Sequence, residues 1–221
     1  MARRPGRTPP GWLGRWVAWV GAGELAGFAV PATVVALVLD RGDAWSFAGA
    51  VGAGLVEGAL LGVAQARVLR DVVRVPAGRW VLATSAAAGL AWAVGMLPGL
   101  TWRTWSAWPP VVVGAVGAAA AGVLLASIGT AQWLLLRTRL PRAGWWVAGT
   151  AGAWVVGLGV FAAVTSPLWQ PGQATGVVVA IGLLGGAAMA FSMAGVTGLV
   201  LRRLVDGPGH RVSPGLASVA P

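Results

Sequence analysis

Between residues 16 and 39 the chain carries no basic side chain and a single acid, Glu24, and five comparable apolar stretches follow before residue 205. About 20 mostly apolar residues are what an α-helix needs to cross a bilayer. Spans are therefore expected at 16–39, 45–69, 79–97, 110–136, 144–166 and 174–204, separated by connectors with Pro, Gly or charge such as Val75-Pro76-Ala77-Gly78 and Trp108-Pro109-Pro110. Only 10% of the residues are charged and 57% are hydrophobic. A soluble domain carries roughly 25% charged residues, so the chain has too little charge to cover an aqueous surface.

The expected architecture is an all-α polytopic membrane protein with six transmembrane helices. Residues 1–11, with Arg3, Arg4, Arg7 and three prolines, read as a cytoplasmic arm, 12–204 as the membrane domain and 205–221 as a disordered cytoplasmic tail. The first apolar run exceeds the 7–15 residues of a cleaved signal core and is taken as an uncleaved span. Asp40 and Asp43 flank Gly42 in a solvated turn, too few ligands for a tight calcium site.

The chain has no cysteine, and its single histidine is His210. Thiolate chemistry, haem held by paired histidines and histidine-based zinc or serine catalysis are thereby excluded. No Gly-x-Ser-x-Gly or Walker A segment occurs. A non-catalytic protein without metal or cofactor is expected.

All 16 basic residues are arginines, giving a net charge of +10. Fourteen of them fall in the arm, the 2–3 connector, the 4–5 connector and the C-terminal end, leaving Arg41 and Arg103 for the other side. The positive-inside rule then puts both termini in the cytoplasm of a bacterial plasma membrane. The arginines are assigned to anionic lipid head groups and not to nucleic acid. Tryptophans agree with this frame. Trp16, Trp80, Trp133, Trp145 and Trp146 are expected to anchor at the cytoplasmic interface, and Trp45, Trp102, Trp105, Trp108 and Trp169 at the outer one.

The span ends repeat. Spans 1, 3 and 5 open with Gly14-Arg15-Trp16-Val17, Gly78-Arg79-Trp80-Val81 and Gly144-Trp145-Trp146-Val147. Spans 2, 4 and 6 close with Gln65 to Arg70, Gln132 to Arg137 and Thr197 to Arg202. Both markers share a period of about 65 residues, which predicts three tandem helical hairpins at 12–70, 76–137 and 142–204. Each hairpin has two spans, so the units enter the membrane in one direction and any symmetry axis lies along its normal, as in a pseudo-threefold bundle. The Gln-Trp-Leu-Leu-Leu-Arg ending and Trp-Trp-Val opening resemble multipass membrane proteins of bacteria. The resemblance implies a membrane location and no particular activity.

Glu24 and Glu57 are the acids well inside the spans. An intramembrane carboxylate costs about 2.5–3.5 kcal/mol on insertion scales and usually faces a bundle interior. Glu24 lies nine residues from Arg15 and Glu57 ten from Arg67, which puts both near the midplane at 1.5 Å per residue. They are expected to meet across the interface of the first two helices, at least one of them neutral, as structural glue or as a proton- or cation-handling pair. Gly23, Gly27, Gly54, Gly58 and Gly62 are expected to allow that close approach. Gln65 and Gln132 are further binding candidates, more simply read as interhelical hydrogen bonders. The leading functional reading is a scaffold, accessory or sensor component contacting lipids and a protein partner in the membrane. The rival is a small proton- or cation-coupled transporter or channel using Glu24 and Glu57.

Overall fold

The computed structural model describes residues 8–38 and 41–207. Arg3, Arg4, Arg7, Asp40, His210 and most of the expected tail lie outside the described residues. The described chain forms seven helices: α1 (Trp12–Val38), α2 (Asp43–Leu69), α3 (Ala77–Leu100), the single turn α4 (Trp102–Trp105), α5 (Pro110–Leu136), α6 (Trp145–Thr165) and α7 (Thr175–Asp206). Six are long and apolar enough to cross a membrane, and no strand occurs among the described residues. This is the architecture of a polytopic helical membrane protein.

Local sequence explains several boundaries. Gly42 adopts φ 91° to turn the chain into α2, a backbone angle that suits glycine. Pro76 and Pro109 precede α3 and α5, where the missing N–H is harmless. Pro98, just beyond the span expected at 79–97, sits inside the last turns of α3. The helix continues to Leu100, and Trp105 Nε1 donates to the Pro98 carbonyl at 2.8 Å. Likewise α7 extends to Asp206, past the expected start of the tail. Asp206 accepts from the Thr8 amide at 2.8 Å and pairs with Arg202 at 3.5 Å, so its helical turn is tied to the start of the chain.

Each long helix packs against its neighbours in the chain, and α1 also packs against α7. The six therefore close into a ring in sequence order. At the end where α1 starts and α7 stops, here the near end, Trp12 Nε1 donates to the Val68 carbonyl at 3.2 Å, Arg15 pairs with Asp71 at 3.0 Å, and Arg139 donates to the Arg74 carbonyl. The main core cluster lies there and includes Trp16, Trp80, Trp146, Leu69, Leu136 and Leu201. In lipid, helix association rests on packing and hydrogen bonding more than on a hydrophobic force, and this end has both.

The far end is looser. The buried residues of α5 are Ile128, Gly129, Gln132 and Leu136, all in its second half. A methyl group at Gly114, Gly117 or Gly122 would touch nothing within 4 Å. The bundle is thus tight at the near end and open at the other.

Glycines mark the close helix contacts, with one difference from expectation. Gly23 and Gly27 of α1 do face α2, where added methyls would meet Ala64 and Glu57. Gly54, Gly58 and Gly62 instead face α3, against Trp92, Ala88 with Thr84, and Val81. One helix in a ring has two neighbours, and the glycine row of α2 lies on the side away from α1.

Candidate functional site

The three tryptophans that open the odd-numbered spans do not anchor at the interface as expected. Trp16, Trp80 and Trp146 are completely buried. Their rings meet inside the bundle, with centroids 6.4 Å apart for Trp16–Trp146 and for Trp80–Trp146. The outward role belongs to others: Trp45, Trp102, Trp108, Trp145 and Trp169 are exposed.

A buried indole N–H needs an acceptor, and the closing residues of the even-numbered spans supply it. Trp80 Nε1 donates to Gln65 Oε1 at 3.0 Å, Trp146 Nε1 to Gln132 Oε1 at 2.9 Å, and Trp16 Nε1 to Thr197 Oγ1 at 3.2 Å. Each bond runs from the first helix of one hairpin to the last helix of the hairpin before it, and the third closes the circle. Gln132 Nε2 adds bonds to Gln65 Oε1 at 2.7 Å and Thr84 Oγ1 at 2.9 Å. Because indole only donates, each glutamine must turn its oxygen toward its tryptophan. Four residues beyond the acceptors, Leu69, Leu136 and Leu201 form another buried layer. Together these layers fill the bundle axis at the near end. Gln65 and Gln132 thus hold the helices together.

The carboxylates lie deeper. Glu24 is eight residues along α1 from Trp16, and Glu57 eight residues back along α2 from Gln65, so both sit roughly 12 Å from the indole layer. Both are buried, at 4% and 6% exposure, and both line one cavity of about 30 Å³ with Trp92 and Trp154. Trp92 Nε1 donates to Glu57 Oε2 at 2.6 Å. The ion pairs among the described residues, Arg15–Asp71 and Arg202–Asp206, are at helix ends. Neither glutamate has a cationic partner there.

Toward the far end the axis opens into a cavity of about 310 Å³ bordered by all six long helices, through Phe28, Glu57, Trp92, Leu124, Trp154 and Met189 among others. Toward the near end a cavity of about 20 Å³ runs from Glu24 to Gln65, Thr150 and Thr197. Thr150 Oγ1 is buried there without a hydrogen-bond partner.

The acids do not recur at the sequence period of about 65 residues. The residues at the step of Glu57 in the other two hairpins are Leu124 and Met189, and those at the step of Glu24 are Ala88 and Trp154. Trp92 and Trp154 line the site beside the glutamates but are not among the candidates Glu24, Glu57, Gln65 and Gln132 expected from the sequence. The available signal was position: Trp92 and Trp154 fall mid-helix, where head-group anchoring gives no reason for indole.

No protein-family model, curated protein or solved structure matches the chain.

Proposed function

We propose that the protein is a non-catalytic accessory or sensor component of a bacterial plasma membrane, with both termini cytoplasmic, built as three related hairpins around a blind axial pocket that receives a small lipophilic ligand. The observation that carries this reading is the pairing of a cavity of about 310 Å³ lined by six helices with the fully buried Trp16, Trp80, Trp146 and Gln132 behind it. Small-molecule sites are concave, mostly apolar and supplied with a few polar groups, and occupy about 300–1,000 Å³. A pocket stopped by hydrogen-bonded indoles binds without conducting.

A transporter is the second reading. It draws on Glu24 and Glu57 and on the small cavities of about 30 and 20 Å³ that continue inward past them. Reconstitution into proteoliposomes with an internal pH dye separates the two. The component reading expects no proton or cation flux above empty vesicles. A flux that Glu57→Gln abolishes, with the protein still folded, would overturn it in favour of transport.

A further inference from the structure

Resting on the pocket reading above, we propose that the axial pocket takes an organic cation, a quaternary or protonated amine carrying an apolar group, with Glu57 as its counter-ion.

The lining supplies both halves of such a ligand's recognition. Phe28, Trp92, Trp154 and Phe161 present aromatic surface to the cavity, and aromatic faces attract cations, more strongly where water is excluded. Met96 and Met189 add polarizable walls that adapt to irregular apolar groups. Glu57 is the acidic residue of this lining, and no arginine belongs to it. Trp92 holds Oε2 at 2.6 Å, which fixes the carboxylate and leaves Oε1 for a guest. Behind it Glu24 shares the cavity of about 30 Å³ and adds a second acid at the same depth.

Other ligand classes fit poorly. An anion would face Glu57 with no basic group to offset it. A sugar would strand its hydroxyls against carbon. An inorganic cation such as calcium needs six to eight oxygen ligands, and this lining is chiefly carbon. The corresponding positions of the other hairpins, Leu124 and Met189, carry no charge, so the acid is a departure peculiar to the first hairpin, placed where the pocket has its floor.

The test uses the full chain in zwitterionic nanodiscs and two probes of the same shape, benzyltrimethylammonium and its uncharged isostere neopentylbenzene, with binding measured by equilibrium dialysis against empty nanodiscs. The wild type is expected to hold the cation at least about tenfold more tightly than the isostere. Glu57→Gln, whose amide oxygen still accepts from Trp92, is expected to lose that preference, read as the ratio of the two affinities. Leu124→Trp, which narrows the cavity from one wall, is expected to weaken the binding of both. Equal binding of the two probes by the wild type overturns the cation assignment and leaves the pocket reading intact. Binding of neither probe overturns the pocket reading itself. Should Glu57→Gln fail to fold, the wild-type preference between the probes decides the matter alone.

Discussion

The indole N–H of Trp16, near the start of α1, donates to the hydroxyl of Thr197 in α7 at 3.2 Å, and this bond joins the first and last helices of the ring. It stands where Trp80 and Trp146 have glutamines. Thr197→Val removes the acceptor and leaves a buried indole N–H unpaired. A loss of about 1–3 kcal/mol is expected, read as an earlier midpoint in denaturant titration of the purified protein.

Thr197→Gln should do the opposite. Gln132 reaches Thr84 with its amide nitrogen, and a glutamine at 197 has the corresponding reach to Thr150, whose buried hydroxyl has no partner. The adjoining cavity of about 20 Å³ offers part of the needed room. A gain of about 1 kcal/mol is expected, and a lower midpoint than wild type would contradict the proposed threefold correspondence.

Gly62 and Gly129 provide a second test of that correspondence. A methyl at Gly62 would lie 2.9 Å from the Val81 Cα, and one at Gly129 would lie 3.0 Å from the Val147 Cα. Gly62→Ala and Gly129→Ala are each expected to cost about 1–3 kcal/mol by overpacking. The two costs should agree closely, whereas Gly114→Ala, in open space, should be neutral or favourable.

The two glutamates should respond differently to loss of polarity. Glu57→Leu leaves the Trp92 N–H without its acceptor, and a loss of about 1–3 kcal/mol is expected. Glu24 has no cationic partner among the described residues, and Glu24→Leu removes a buried polar group from hydrocarbon. It is expected to be as stable as wild type or more so. Equal destabilisation by both variants would show that Glu24 is held by a partner of its own.

Orientation is open to direct labelling, because the chain has no native cysteine. With Arg74→Cys or Trp105→Cys as the single thiol, an impermeant maleimide applied to intact cells should label position 105 and spare position 74. The reverse pattern would invert the proposed topology.

Much of this molecule could be read along the chain because a bilayer imposes simple rules. Six spans follow from the apolar runs, since backbone polar groups in hydrocarbon must be satisfied within a helix. The shared period of Trp16, Trp80 and Trp146 with Gln65, Gln132 and Thr197 singled out residues that the structure joins by hydrogen bonds, and the matching depth of Glu24 and Glu57 followed from residue counts. What tertiary structure decided is which way those side chains face. In lipid the outer face of a helix is as apolar as the inner one, so hydropathy carries no contrast between them. The three opening tryptophans therefore looked like interfacial anchors, yet they are completely buried. The glycine row of α2 could serve either neighbour and packs on α3. Trp92 and Trp154 became part of an acid-lined cavity only when helices distant in sequence closed into a ring, because shape complementarity among those helices, and not any one segment's polarity, selects the faces that meet.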